Sequence, residues 1–311
     1  MRIVIALGGN ALLKRGEPMT VETQRANVRR AATSLAALIG AGHQIVVTHG
    51  NGPQVGLLAL QSAAGPKDGA YPLDILGAES EGMIGYLIEQ ELDNVLPAGA
   101  MLATLLTQIR VSPSDPAFLH PTKPIGPVYD EVTARRIEVE RGWQIARDGE
   151  KWRRVVASPE PLEILEMKVI SMLVERGVTV ICAGGGGIPV VARNDGSLLG
   201  IEAVIDKDRA SYLLARQVGA DMLLLLTDVD AVYLDFGKPE ARRIARTGAL
   251  SLTGAQFASG SMGPKVEAAT MFATETGRLA AIGRLEDAVA ILRGEAGTTI
   301  EAGKSEIEIR R

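Results

Sequence analysis

Three lysines, two aspartates and two Gly–Asn turns are the residues of this chain whose types and settings could do chemistry. Lys265 stands in Ser261-Met-Gly-Pro264-Lys265, directly before the apolar helical run from Val266 to Phe272. Pro264 suits the first position of a helix. A cation in that first turn opposes the helix macrodipole at a cost of about 0.3–1 kcal/mol, an objection that a bound polyanion removes. The alternative is a solvated lysine tolerated at little cost. Lys207 lies in Asp206-Lys207-Asp208 at a second helix start. Either aspartate could simply cap that helix, or one could orient the lysine against a phosphate and help to hold Mg²⁺. Lys123 sits between Pro121 and Pro124 in a stiff segment, and is otherwise an ordinary loop lysine.

The turns Gly8-Gly9-Asn10 and Gly50-Asn51-Gly52 offer unhindered backbone N–H groups together with an Asn amide. Those are the donors that hold a small anion or a transferring phosphoryl group. Read without function, they are tight turns in which Asn tolerates the left-handed region. The chain has no Gly-x-x-x-x-Gly-Lys-Ser/Thr loop, and Gly56 falls one residue late for a dinucleotide fingerprint begun at Gly50 and Gly52. It has no Gly-x-Ser-x-Gly elbow. His43, His49 and His120 lack metal-ligand spacing. Separated lysines with Gly–Asn turns suit phosphoryl transfer, which needs positioning and charge more than covalent help.

Such residues need elements that bring them together. A repeated unit supplies these: amphipathic helix, glycine, short apolar strand, then a Gly- or Asp-rich turn. Ile3–Leu7 runs into Gly8, and Ile45–Thr48 runs into His49-Gly50. Val178–Ala183 opens into Gly184-Gly185-Gly186-Gly187, and Met222–Leu226 into Thr227-Asp228. Val28, Ala31, Ala32, Leu35, Leu38 and Ile39 follow the 3.6-residue period of a helix. Leu162, Leu165, Val169, Met172 and Leu173 predict another helix that stops at Gly177. Strands this uniformly apolar are covered on both faces, which predicts a three-layer α/β/α sandwich with a mainly parallel central sheet. Ligands gather at the carboxyl ends of such strands, where these turns lie.

A single domain over 1–311 is expected, with one excursion. From 110 to 159 the chain is rich in Pro and charge, and holds its two tryptophans, Trp143 and Trp152. Gly142–Arg147 and Trp152–Val156 flank Asp148-Gly149 and read as a β-hairpin. We expect a protruding, flap-like subdomain here.

The 311 residues are 46% apolar, enough for a large core, and the formal net charge of −4 argues against a broad nucleic-acid surface. The single cysteine, Cys182, lies in an apolar strand and reads as a small core residue in a protein of the reducing cytoplasm. Glycines interrupt both the N-terminal apolar stretch and the run from 178 to 192, so neither a signal peptide nor a membrane span is expected.

Seven blocks, in order, resemble the carbamate kinases of the amino acid kinase superfamily. They are Ala6-Leu-Gly-Gly-Asn-Ala-Leu12, Thr48-His-Gly-Asn-Gly-Pro-Gln-Val55, Pro121-Thr-Lys-Pro-Ile-Gly-Pro127, Ala183-Gly-Gly-Gly-Gly-Ile-Pro189, Ala203-Val-Ile-Asp-Lys-Asp208, Leu226-Thr-Asp-Val229 and Gly260-Ser-Met-Gly-Pro-Lys265. The resemblance covers nearly the whole chain. Many superfamily relatives carry a lysine on the first strand where this chain has Ala6, and carbamate kinases share that absence, with Lys207 supplying the charge from another turn. His120 stands where Asn is expected, and the segment after Pro159 is also unusual.

The resemblance implies a mainly parallel eight-stranded sheet, a homodimer, and phosphoryl transfer between ATP and carbamate with Mg²⁺. It also implies ADP and carbamoyl phosphate as the other pair of substrates, a link to arginine metabolism, and often a net direction toward ATP. Lys123, Lys207 and Lys265 would neutralise the transferring group, organised by Asp208. Gly8, Gly9, Asn10, Gly50, Asn51 and Gly52 would cradle carbamate and the phosphoryl group. Gly185, Gly186, Asp206, Thr227, Asp228, Tyr233, Ser261, Met262 and Gly263 would lie near the nucleotide. No protein ligand to a metal is assigned. Rival readings are a superfamily kinase acting on an amino acid or UMP, a catalytically silent nucleotide-binding subunit, and a dinucleotide oxidoreductase.

Overall fold

Strands with apolar residues on both faces need cover on both sides, and Arg2–Leu7 and Met222–Thr227 find it at the middle of a ten-stranded sheet. The computed structural model describes residues 1–311 except 14–15, 66–69, 253–256, 258–261, 304–305 and 311, and the side chains of Asn10 and Ala11. From one edge the sheet runs Tyr233–Leu234, Arg242–Gly248, Thr298–Glu301, Leu279–Arg284, Met222–Thr227, Arg2–Leu7, Gln44–His49, Thr179–Ile181 and Leu102–Thr104. Every neighbouring pair from Leu279–Arg284 to Leu102–Thr104 is parallel. Ten strands stand where the resemblance implies eight. The difference is met by Tyr233–Leu234 and Glu308–Ile309, two-residue strands that add on to Arg242–Gly248.

Side chains alternate across a strand, so one strand feeds two cores. Ile3, Ile5 and Leu7 join Leu224 and Leu226 against Val28, Leu35, Ile84 and Ile88 of the helices Val21–Gly40 and Leu73–Asp93. Val4, Ala6, Leu223 and Leu225 face the opposite layer and pack with Ile170, Leu214 and Phe272. Those three belong to the helices Met167–Glu175, Lys207–Gln217 and Met262–Thr276. The result is the expected α/β/α sandwich.

The predicted helix over Leu162–Leu173 needs correction. Glu163–Ile164 is a strand paired with Gln108–Arg110, and the helix begins at Met167. Leu162, Val169 and Met172 are exposed, while Ile170 and Val174 are buried. A ladder to a distant segment overrides the local period here, and a run of so few turns does not fix which face turns inward. The strand expected over Val178–Ala183 is shorter, Thr179–Ile181, because Ala183 turns into the left-handed region at φ 50°.

Between Leu102–Thr104 and Thr179–Ile181 the chain leaves the main sheet. Lys123–Tyr129, Ile145–Asp148 and Lys151–Val156 form their own three-stranded sheet beside the helix Glu131–Arg141. The Arg154 guanidinium lies 4.1 Å from the Trp143 ring centre and that of Arg135 4.6 Å from Trp152, so each indole is ordered by a cation. This unit is locked to the sandwich where two backbones touch. A Cβ on Gly56, within the helix Gly52–Ala64, would stand 1.9 Å from the Gly126 Cα, and Gly126 itself has φ 73°.

Gly56→Ala is therefore expected to lower stability by about 1–3 kcal/mol in denaturant titration, in spite of alanine's better helix propensity. Stability at or above that of the parent would show that this crossing does not lock the unit.

Candidate functional site

Because the central strands are parallel and in register, their carboxyl ends open on one edge. Leu7 stands opposite both Leu226 and His49, and Val47 opposite Ile181. The turns that follow, at Gly8, Gly50, Ala183 and Asp228, therefore emerge side by side. Gly8 is the N-cap of the short helix Gly9–Leu12, which contains Asn10. The Gly8 N–H donates to the Leu226 carbonyl at 2.8 Å, and the Gly50 N–H to that of Leu7 at 3.0 Å.

Glycine is what lets these loops meet. A Cβ on Gly50 would lie 3.0 Å from the Gly9 nitrogen and 3.7 Å from Cδ of Lys207. One on Gly185 would lie 2.1 Å from Asn51 Nδ2, and one on Gly186 2.3 Å from the Ile205 carbonyl oxygen. Gly185 and Gly186 have φ of 69° and 98°, open to glycine alone without strain. They thus sit with Asn51 and the loop before Lys207. Asn51 is the N-cap of Gly52–Ala64 yet makes no side-chain cap, and its amide donates to Ser80 Oγ at 2.8 Å instead. Asn51 has φ −138°, outside the left-handed region, so the tight-turn explanation does not apply to it, and the first N–H groups of that helix are left at the edge with no capping side chain.

Across the cradle stands the charged cluster. Asp206 caps the helix Lys207–Gln217, its Oδ1 accepting from the N–H of Asp208 at 2.8 Å and of Arg209 at 3.4 Å. Its other oxygen, Oδ2, accepts from Lys123 Nζ. Asp208 takes Lys207 Nζ on Oδ1 at 2.6 Å and Lys265 Nζ on Oδ2 at 3.1 Å. In the Asp-Lys-Asp block, therefore, Asp206 caps the helix and Asp208 gathers two lysines. Lys207, Asp208 and Lys265 are buried at 8%, 4% and 8% exposure, where charges persist only if paired. Three ammonium groups against two carboxylates leave a surplus positive charge at the mouth of the glycine turns.

The groups titrate accordingly. Burial pushes the Asp208 carboxyl up, but Lys207 and Lys265 overcome this and hold it well below the usual carboxylate range. Burial likewise opposes ionisation of Asp206, and Lys123 outweighs it. Burial brings Lys207 down to about 8 against the pull of Asp208, with Lys265 adding to the fall. Lys265 is also buried, yet Asp208 raises it above the usual lysine value.

Neighbouring contacts fix the elements that carry the cluster. Ser211 Oγ donates to the Lys207 carbonyl at 2.6 Å and lies 2.6 Å from Thr48 Oγ1, tying the helix start to the end of Gln44–His49. Arg209 joins Glu160 at 2.6 Å and Glu267 at 3.0 Å, binding this helix to Met262–Thr276. That helix already includes Met262 and Gly263, so Pro264 lies in its first turn but is not its first residue. Ser261 lies outside the described residues.

Thr227 and Asp228 lie at the end of the neighbouring strand, with Thr227 Oγ1 donating to Asp228 at 3.0 Å. Tyr233 stands further along, its hydroxyl donating to Asp230 at 3.1 Å, and Arg243 pairs with the same carboxylate at 2.9 Å. This second group shares the edge, and the charge of Asp228 is felt at Lys265. Cys182 is buried and burial pushes its thiol up, as suits a core residue. Sequence reasoning missed Ser80, Glu81 and Thr107, which lie beneath the cradle. The signal for Ser80 and Glu81 is a pair of polar residues on the apolar stripe between Leu76 and Ile84.

Comparison with known proteins identifies the family. The model of the amino acid kinase family matches residues 1–283. A carbamate kinase of Rhizobium meliloti (strain 1021) is 57% identical over 309 residues, covering 99% of this chain and 95% of that protein. The solved carbamate kinase from Giardia lamblia bound to citric acid is 42% identical and superposes with a TM-score of 0.90, covering 97% and 98% of the two chains. The same protein bound to AMP-PNP gives 0.85 at 42% identity, covering 97% and 98%.

A polyanion that docks on the lysines needs Lys207 charged. Affinity for inorganic tripolyphosphate, measured by calorimetry from pH 7 to 9.5, is expected to fall as the pH rises through about 8, with proton uptake accompanying binding above that point. Affinity that is flat across this range would show that Lys207 does not contribute.

Proposed function

The chain belongs to the amino acid kinase family, and within it to the carbamate kinases, and from that premise we propose how its site works. It transfers a phosphoryl group reversibly between ATP and carbamate, the other pair being ADP and carbamoyl phosphate. The observation that carries this reading is the sharing of Asp208 by Lys207 and Lys265, with Lys123 on the adjacent Asp206, beside the glycine turns.

Carbamate is already an anion, so its oxygen needs no general base. The barrier lies in bringing one anion against another. Lys207 and Lys265 supply charge where it develops, and Asp208 keeps both ammonium groups aligned before the nucleotide arrives. Gly8, Gly9, Asn10, Gly50, Asn51 and Gly52 are assigned to carbamate and the moving phosphoryl group. Gly185 and Gly186 are expected near the nucleotide, but the contact of Gly185 with Asn51 favours a place for it on the carbamate side. Thr227, Asp228, Tyr233, Ser261, Met262 and Gly263 are assigned to the nucleotide, and Asp206 to holding Lys123. The unit spanning 110–159 is assigned the part of a flap, since any movement of it carries Lys123.

Asp206 and Asp208 already hold ammonium groups, so they do not form a dedicated metal cage. Mg²⁺ is expected to arrive on the nucleotide's phosphates with its own water, as is usual for this ion. A homodimeric state, a cytoplasmic location and a role in arginine metabolism rest on likeness to the family. The buried, unpaired Cys182 is in keeping with a reducing compartment.

ATP formation from ADP and carbamoyl phosphate, followed by a coupled assay, tests the reading. Glutamate, aspartate and UMP serve as competing acceptors in the reverse direction, and preference for any of these over carbamate would overturn it. Lys207→Ala and Lys265→Ala are each expected to lower kcat by about 10²-fold or more, the scale of losing one preorganised donor. Parental turnover in both variants would remove the lysines from the mechanism.

A further inference from the structure

A buried carboxyl lies beneath the cradle, and the chemistry above does not use it. Ser80 and Glu81 sit on the helix Leu73–Asp93 with 0% and 1% exposure. Glu81 Oε1 accepts from the Gly184 N–H at 2.8 Å, and Oε2 from the Thr107 N–H at 3.3 Å. Thr107 Oγ1 in turn accepts from the Ala183 N–H at 2.9 Å. These contacts grip the chain where it turns left-handed. Ala183 has φ 50°, a conformation that a non-glycine residue keeps only where its surroundings over-determine it. Gly185, Gly186 and Gly187 follow, all with positive φ.

The adjacent Ser80 accepts from Asn51 Nδ2 at 2.8 Å and donates to the Gly77 carbonyl at 2.9 Å. Two consecutive residues of one helix therefore hold two different walls of the cradle. His49 closes the remaining side. Its Nδ1 lies 3.3 Å from the Gly50 carbonyl, and its Nε2 is buried without a partner, against Gly184.

Resting on the carbamate kinase reading, we infer that Ser80 and Glu81 are positioning residues that hold Asn51 and the Ala183–Gly187 turn in place, and so set the affinity for the acyl phosphate. Electrostatics agree with that placement. Burial pushes Glu81 up to about 8 and His49 down to about 4, so both are biased toward their neutral forms beneath the anion site. A neutral carboxyl also explains how so deep a glutamate persists with no cation beside it.

Kinetics of ATP formation separate this role from a merely structural one. Glu81→Ala leaves the Gly184 and Thr107 donors unpaired, and should raise KM for carbamoyl phosphate about 10-fold or more, the scale of losing a supporting contact. KM for ADP should stay within about 2-fold, because the nucleotide is not held by these walls. Glu81→Gln keeps an acceptor for Gly184 and imitates the neutral acid, so most of the affinity should return. Ser80→Ala loosens Asn51 alone, is small enough to fold in any case, and should raise the same KM severalfold. An unchanged KM for carbamoyl phosphate in Ser80→Ala and in folded Glu81→Ala, even with a lowered melting temperature, overturns the inference. So does a Glu81→Gln variant as impaired as Glu81→Ala. The parent protein is assayed alongside: its own failure to make ATP from carbamoyl phosphate sinks the kinase reading, whereas the outcomes above leave that reading intact.

Discussion

The structure depends on one shared carboxylate. Asp208 is buried, and its two oxygens are each taken by a different lysine, one from its own helix start and one from a helix 57 residues further along the chain. Burying any one of these three groups alone would be prohibitive; together they satisfy one another. The surrounding contacts serve to make that meeting unavoidable. Asp206 closes the helix end, Ser211 ties it to the sheet through Thr48, and Arg209 clamps it to the helix that brings Lys265. Because the cations outnumber the carboxylates, the finished cluster is left attractive to an anion, in a place where water screens little.

Opposite that charge the chain has almost no side chains to offer, and this is its contribution. Gly8, Gly50, Gly185 and Gly186 stand where a methyl group would press on a neighbouring backbone or amide. Removing side chains lets these loops meet closely, and the N–H groups of Gly8, Gly50 and Gly186 are themselves held by the carbonyls of Leu226, Leu7 and Ala183. The arrangement costs backbone strain at Ala183, and the hydrogen bonds of Thr107 and Glu81 keep that turn from relaxing. Lysines provide the charge, glycines the shape, and the helix beneath them the rigidity.

The three-stranded unit has a different relation to the site. It touches the sandwich where Gly56 meets Gly126, where Ile125 and Val156 pack with Val55 and Leu76, where Arg154 pairs with Glu202, and where Lys123 reaches Asp206. The first is a backbone crossing with no tolerance for bulk, the second is apolar packing, and the last two are ion pairs at carboxylates that are not fully buried. A unit held in this way keeps Lys123 in register with the buried cluster. It also leaves Lys123 and its partner Asp206 less enclosed than Lys207, Asp208 and Lys265.

Much of this was legible in the residues alone. Uniformly apolar runs ending in glycine specify buried parallel strands and the edge where their turns collect, because cover on both faces and a flexible exit are local requirements. The lysines and Gly–Asn turns announce anion chemistry by type. What the chain could not disclose were outcomes settled between distant segments. Apolar spacing suggested a helix from Leu162, but pairing with Gln108–Arg110 made part of it a strand and turned Val169 outward. Nothing local says that Asp208 takes both Lys207 and Lys265 while Asp206 takes Lys123, since that depends on how two helices and a remote strand dock. Glu81 shows the same limit: its residue type suggests a solvated charge, and only packing under the glycine turn makes it a buried acceptor. Residue types and periods determined which chemistry was available. Tertiary structure decided which groups meet, because hydrogen bonds and buried charge are satisfied by partners in space, whatever their separation along the chain.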